Sequence, residues 1–298
     1  MKTREALYAL LGDLPDPNLP ITERLVAEDN MDDFILESLT LDLNGIEPVP
    51  AYFTRPKNVT APYPVMLFSH SHGGMYLMGK NELLSPAPYG YKVPYAQALA
   101  KLGIACLAID HWSFGERAGR RESETFKSML WQGQVMWGMM VYDSLRAVDY
   151  IMSRQDTDNQ RIGALGMSMG STMSIWVAAL DQRIKTCIDI CCLTDFEELE
   201  RQNSLDAHGI YYYVPSLRKH FTMTDINALI APRPHFSTAG LYDELTPVAG
   251  LAKIDKELTA IYDQGGAGGR FTLNTYPCGH VETREMREDI LAFVRETL

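Results

Sequence analysis

Residues 161–173 read RIGALGMSMGSTM, a short apolar run that ends in the pattern Gly-x-Ser-x-Gly. A helical pattern follows directly, from Ser171 to Leu180. A serine between two glycines on a tight turn from strand to helix is typical of a nucleophile elbow, because the missing Cβ atoms let strand and helix approach closely. The pattern therefore predicts that Ser168 stands at the tip of this turn, where the first N–H groups of the helix favour a developing negative charge.

The chain around this turn alternates between strand-like and helical patterns. Further strands are predicted at residues 65–68, 104–109, 184–193, 236–239 and 271–276, and helices at 95–102, 122–153, 248–262 and 282–297. Residues 35–43 and 49–54 flank Asn44-Gly45, which is a strong hairpin signal. We therefore expect an α/β fold with a mostly parallel central sheet, an N-terminal antiparallel hairpin and helices on both faces. The mixed, acidic segment 21–34 gives no clear pattern.

The length and composition favour one large domain. The chain has 298 residues, of which 46% are hydrophobic, and no linker or repeat interrupts it. We expect residues 1–298 to form a single domain, with the long irregular segment 194–231 as a partial cap. The formal net charge of -11 argues against nucleic acid or an anionic membrane as a partner.

The cysteines and the first residues of the chain indicate the cellular compartment of the protein. Five cysteines is an odd number, and their spacing does not suggest zinc, so we expect reduced and mostly buried thiols. The first seven residues include charged side chains and do not have the apolar core of a signal peptide. No stretch of about 18 apolar residues, the length of a transmembrane helix, occurs. These features predict a cytoplasmic protein without a transmembrane span.

A serine nucleophile requires a base, and the base requires an orienting acid, in the chain order serine, acid, histidine. His280 is the histidine that follows a late strand and has candidate acids before it. Asp243 follows the strand at 236–239 and is the preferred acid. Its neighbour Glu244 and the more distant Asp195 remain alternatives.

The tetrahedral intermediate of acyl transfer needs two N–H donors. Met169 supplies one, since it follows the nucleophile at the start of the helix. The loop after residue 68 should supply the other, and His72 is preferred over Gly73, which would also lie near the substrate. His70 and His72 lack a third ligand at a suitable spacing, so no metal site is expected.

Aromatic and charged residues follow other strand ends. Asp110, Glu116 and Arg117 form a charged loop at the next strand end. We expect an ion pair to fix this loop, with direct contact to the substrate as the alternative. Trp112 is expected to line the substrate site, because it lies three residues after a strand end. The tyrosines at 211–213 could cover an acyl or alcohol pocket, although such residues more often belong to a core.

The chain resembles the α/β-hydrolase superfamily, within the group of dienelactone hydrolase-like and acetyl xylan esterase-like serine esterases. Five stretches carry the resemblance, which runs from about residue 35 to the end: SHSHGG at 69–74, DHWSFGER at 110–117, GMSMG at 166–170, DELTP at 243–247 and GH at 279–280. The resemblance implies a hydrolase of carboxylic esters, with Ser168 as nucleophile, Asp243 as acid and His280 as base. The backbone of His72 falls where acetyl esterases place an oxyanion donor.

Two departures from the family pattern bear on the expected activity and on the expected oxyanion donor: the first argues against dienelactone hydrolysis, and the second leaves the exact donor open. Dienelactone hydrolases proper use a cysteine nucleophile, where this chain has Ser168. Many relatives have His-Gly-x-Gly, whereas here Ser71 occupies a glycine position.

We therefore expect a serine esterase for small-molecule esters with small to medium acyl groups, which requires no cofactor or metal. A peptidase or amidase of the prolyl oligopeptidase-like type would use the same triad and is the alternative. A third hypothesis is that the protein is a non-catalytic relative that binds a ligand. The sequence does not decide whether the protein is a monomer or a homodimer.

Overall fold

Nine strands form one sheet in the computed structural model, which describes residues 2–298. In chain order they are β1 (Thr22–Asn30), β2 (Phe34–Asp42), β3 (Val49–Pro56), β4 (Tyr63–Ser69), β5 (Ala105–Ile109), β6 (Thr157–Met167), β7 (Ile184–Ile190), β8 (His235–Gly240) and β9 (Phe271–Tyr276). Their spatial order is β1-β2-β3-β5-β4-β6-β7-β8-β9. The six strands from β5 to β9 in this order run parallel, which confirms the mostly parallel sheet.

The antiparallel part of the sheet is larger than a hairpin. β2 and β3 pair as expected around the Asn44-Gly45 turn, and β3 continues antiparallel onto β5. β1 adds a third strand at the edge, within the segment that the sequence left unplaced. All nine residues of β1 are exposed, so the strand has no alternation of apolar and polar residues by which to recognise it.

Ten helices connect and flank the strands in the described part of the chain. They are α1 (Arg4–Tyr8), α2 (Tyr95–Ala100), α3 (Glu122–Trp131), α4 (Met136–Ser153), α5 (Met169–Leu180), α6 (Phe196–Arg201), α7 (Leu217–His220), α8 (Met223–Ala228), α9 (Val248–Gln264) and α10 (Arg284–Thr297). The single helix expected over 122–153 is two helices, α3 and α4. The chain breaks between them at Gly133, which has φ +76°, a conformation that glycine adopts without strain.

The helices cover both faces of the sheet, as predicted. Alternate residues of β4 point to opposite sides: Val65 belongs to one apolar cluster and Met66 to the other. Helices α4, α5 and α9 pack in the first cluster, where Trp137 meets Trp176 edge to face. Helices α2 and α10 pack in the second. Two buried layers therefore hold the sheet rigid, and the loops at its carboxyl edge can carry functional side chains.

The segment 194–231 contains three of the short helices, α6, α7 and α8, and two 3₁₀ turns, Leu205–Ala207 and Ile210–Tyr212. The second turn reaches the carboxyl edge of the sheet, as described below. Within residues 2–298, none of the helices has the length and apolar character needed to cross a bilayer. All five cysteines are free thiols.

Candidate active site

Ser168 forms the turn between β6 and α5. Its backbone has φ 57° and ψ −118°, a sparsely populated conformation that a residue other than glycine adopts only where the surroundings enforce it. The flanking glycines explain how. A Cβ on Gly166 would overlap the backbone of Gly170, and one on Gly170 would overlap the carbonyl oxygen of Ser69. The Ser168 N–H also donates to the carbonyl oxygen of Ile190, 2.8 Å away, which ties the turn to β7.

His280 and Asp243 reach this serine from the ends of two neighbouring strands. His280 follows β9, and its Nε2 lies 2.9 Å from Ser168 Oγ. Its Nδ1 lies 2.8 Å from Oδ2 of Asp243, which follows β8. The Asp243 carboxylate is buried, and its Oδ1 accepts the Leu245 N–H at 2.9 Å. The structure thus brings together the three residues that sequence reasoning grouped, in the order serine, histidine, aspartate.

The alternative acids lie elsewhere. The Asp195 side chain caps α6 by accepting the Glu198 N–H, and it pairs with Lys253 at 3.0 Å. Glu244 is exposed to solvent. Another histidine, His235, contacts the buried Asp189, with 2.7 Å between Nε2 and Oδ2.

A cavity of about 310 Å³ opens over Ser168. The loop after β4, the start of α5 and the segment 194–231 all contribute to its lining. The lining residues are His72, Gly73, Gly74, Tyr89, Ser168, Met169, Thr172, Cys192, Ala207, His208, Gly209, Tyr211, Tyr212, Leu245 and His280. The predicted oxyanion donors His72 and Met169 and the predicted contact residue Gly73 are therefore all at this cavity, and their roles remain predictions.

The structure does not bring Trp112 into this cavity. Its indole ring lies under the guanidinium group of Arg117, 4.3 Å from the ring centre, and it lines a separate groove. Distance from a strand end does not fix the direction of a side chain, and here the stacking on Arg117 sets it.

The charged loop after β5 is fixed by ion pairs, and the ion-pair partners of its charged side chains lie outside the loop. Asp110 and Glu116 both pair with the buried Lys80, at 3.0 and 2.5 Å. Arg117 pairs with Asp143 at 2.8 Å and donates to the Asp110 backbone carbonyl. These contacts stabilise the loop, none of whose residues lines the cavity over Ser168.

Two buried carboxylates near the cavity were missed by sequence reasoning. Glu82 accepts the N–H and O–H of Ser71, and Glu122 accepts the Tyr76 hydroxyl and the Tyr211 N–H. Burial is the main reason that the pKa of Glu82 is raised to about 7. No local pattern marks either glutamate, because each partner comes from a different part of the chain.

One group of potential metal ligands occurs in the part of the chain that the structure describes: Cys191, Asp243 and His280. Two of these residues already bond to each other. Burial raises the pKa of the Cys191 thiol, which disfavours the thiolate that metal binding needs. These three side chains therefore favour the hydrogen-bonded pair of His280 and Asp243 over a bound metal ion.

The elbow, the parallel sheet and the juxtaposed Ser168, His280 and Asp243 define the α/β-hydrolase class of proteins. Residues 36–219 match the sequence model of the family described as acetyl xylan esterase (AXE1). The chain is 50% identical over 295 residues to YtaP of Bacillus subtilis (strain 168). The name of that protein calls it a hydrolase and gives no substrate. That match spans 99% of this chain and 98% of YtaP.

Solved structures share the fold. The glucuronoyl esterase from Solibacter usitatus has a TM-score of 0.71 at 15% identity, over 98% of this chain and 91% of its own. The acetyl xylan esterase from Paenibacillus sp. R4 has a TM-score of 0.62 at 19% identity, over 99% and 92%. The chain belongs to the acetyl xylan esterase (AXE1) family and is a carboxylic ester hydrolase.

Proposed function

We propose that this protein hydrolyses small-molecule esters of small to medium acyl groups, with Ser168 as nucleophile, His280 as general base and acid, and Asp243 as the group that orients His280. The observation that carries the proposal is the position of the His280 ring, whose two nitrogens lie 2.9 Å from Ser168 Oγ and 2.8 Å from Asp243 Oδ2. A neutral imidazole in this position can take the serine proton from one side, while the buried carboxylate accepts its other N–H.

The reaction follows from these positions. Ser168 Oγ attacks the ester carbonyl as its proton passes to His280 Nε2. The N–H groups of Met169 and His72 hold the negatively charged oxygen that forms. His280 then protonates the leaving alcohol, and in the second half of the reaction it removes a proton from the water that releases the acid.

The segment 194–231 is proposed as a partial cap that limits the size of the substrate. It supplies His208, Gly209, Tyr211 and Tyr212 to the cavity wall. A cavity of about 310 Å³ that is shared by the acyl and alcohol parts favours short acyl chains over long ones. The five free thiols support the cytoplasmic location that the sequence predicts.

The test is hydrolysis of p-nitrophenyl esters from acetate to decanoate by the wild type, by Ser168→Ala and by Ser85→Ala, an exposed serine as matched control. We expect the fastest hydrolysis at short chains, and a loss of several orders of magnitude, about 10⁴-fold or more, in Ser168→Ala alone. Retention of most activity in Ser168→Ala would show that another residue is the nucleophile. Hydrolysis of matched amides faster than esters would favour the amidase alternative.

A further inference from the structure

Glu82 is a buried carboxylate in the 3₁₀ turn Gly79–Leu83, and its partners lie in the loop that carries His72. Its Oε2 accepts the Ser71 N–H at 2.5 Å, and both of its oxygens lie within 2.9 Å of Ser71 Oγ. Ser71 is the residue that replaces a family glycine, and it directly precedes the proposed oxyanion donor His72. Glu82 therefore holds the peptide group between residues 70 and 71 and the Ser71 side chain, and sequence reasoning did not detect this carboxylate.

The same network extends to the wall of the cavity. Ser71 Oγ lies 2.5 Å from the hydroxyl of Tyr89, and Tyr89 lines the cavity over Ser168. The backbone carbonyl of Tyr89 accepts the Glu282 N–H at 2.8 Å, two residues after His280. Tyr89 thus joins the loop of the proposed oxyanion donor to the loop of the proposed base.

We propose that Glu82 is a positioning residue for ester hydrolysis, whose ionised carboxylate holds Ser71, and through Ser71 the His72 backbone and the Tyr89 side chain, in the arrangement that the reaction needs. This inference rests on the proposed function. An ionised Glu82 only accepts, so Ser71 donates its proton to Glu82, and Tyr89 donates its own to Ser71 Oγ. All hydrogen-bond directions in the chain are then fixed.

Protonation of Glu82 reverses these directions. One of its oxygens becomes a donor, which leaves Ser71 free to turn its proton toward Tyr89 and weakens the hold on the Ser71 N–H. The groups that act on Glu82 are the Tyr89 phenol and the carboxylate of Glu282, which is itself paired with Arg287 at 2.7 Å. Burial, with a smaller contribution from Glu282, raises the pKa of Glu82 to about 7, so its charge changes near neutral pH.

The test is the pH profile of kcat/KM for p-nitrophenyl acetate in the wild type and in Glu82→Gln. In the wild type, loss of a proton from Glu82 raises kcat/KM in addition to the ionisation of the general base, so the acid limb of log kcat/KM against pH approaches a slope of two over the one to two pH units that this gain spans. Glu82→Gln removes one of these ionisations and lowers the slope to one. At pH 8 we expect kcat to fall about 10- to 100-fold with KM changed less than about threefold, because small displacements of reacting groups affect kcat strongly.

Two further variants complete the test. Tyr89→Phe breaks the link to Ser71 but keeps Glu82, so it should lower kcat while keeping the slope of two, and it remains informative if Glu82→Gln does not fold. Glu124→Gln, on an exposed carboxylate, should match the wild type. A slope of two retained in Glu82→Gln, a loss confined to KM, or Tyr89→Phe with wild-type kcat would overturn the proposal.

The failure of the proposed function is distinguishable from these outcomes. If the wild type hydrolyses no ester of the series, the proposed function fails. The pH dependence of Ser168 labelling by a fluorophosphonate then replaces the kinetic profile. A labelling rate whose logarithm rises less steeply with pH in Glu82→Gln than in the wild type supports the positioning role. An unchanged pH profile of the labelling rate contradicts it.

Discussion

The Glu122 carboxylate accepts the backbone N–H of Tyr211 at 3.1 Å and so joins the start of α3 to the segment 194–231. The same carboxylate accepts the Tyr76 hydroxyl at 2.6 Å and lies 3.8 Å from His72 Nε2. Burial acts to raise the pKa of Glu122, but the nearby His72 ring and the hydrogen bonds from Tyr76 and Tyr211 outweigh it and lower the pKa. An ionised Glu122 therefore contacts both the loop after β4 and the segment 194–231 at neutral pH.

Glu122→Gln should loosen the segment 194–231. A hydrogen bond to a charged group is worth about 1.5–3 kcal/mol, so we expect kcat/KM to fall about 10-fold and proteolytic cleavage within 194–231 to become faster. Limited proteolysis with mass spectrometry and steady-state kinetics measure the two effects. Glu124→Gln, two residues along the same helix and exposed, is the control. An unchanged cleavage rate would show that other contacts hold the segment.

Asp243→Asn should reduce kcat about 10⁴-fold, because the amide no longer stabilises the His280 tautomer that can accept the serine proton. The comparison is Glu244→Gln, which alters the exposed neighbour and should stay within about twofold of the wild type. Stopped-time hydrolysis assays at pH 8 measure both variants. Activity of Asp243→Asn within tenfold of the wild type would contradict the assigned role.

The parts of the site that the sequence predicted are those encoded within a few adjacent residues. The elbow around Ser168 is local, and Asp243 and His280 each follow a predicted strand directly. Because parallel strands end at the same edge of the sheet, three local patterns were enough to predict that these side chains meet.

The parts that were missed depend on contacts between distant segments. Glu82 and Glu122 bond to residues 11 and 89 positions away. β1 carries no apolar pattern, because it is exposed along its whole length. Trp112 was placed by its distance from a strand, but stacking on Arg117 turns it toward another groove. None of these relationships produces a periodic pattern of apolar and polar residues in the sequence.

Gly170→Ala should destabilise the elbow, because the added Cβ would overlap the carbonyl oxygen of Ser69. Overpacking of this kind costs about 1–3 kcal/mol or more, which lowers Tm by roughly 2–8 °C in a chain of this size. Gly119→Ala is the matched control, since no described atom lies within 4 Å of a Cβ placed there. Thermal unfolding followed by circular dichroism measures both. Equal Tm values for the two variants would mean that the elbow relaxes without cost.

Tyr212 lines the cavity, and its buried hydroxyl has no hydrogen-bond partner within residues 2–298, so we predict that it bonds to an oxygen atom of the substrate. Its neighbour Tyr213 donates to the Leu205 carbonyl at 2.5 Å and does not line this cavity. Tyr212→Phe should therefore keep Tm but lower kcat/KM about 3- to 10-fold for glycerol monoacetate, and less for ethyl acetate, because one hydrogen bond is worth about 0.5–1.5 kcal/mol. Tyr213→Phe should instead lower Tm and spare kcat/KM. Equal losses on both esters would place the Tyr212 hydroxyl on the ester group itself, and no loss on either would show that it binds water rather than substrate.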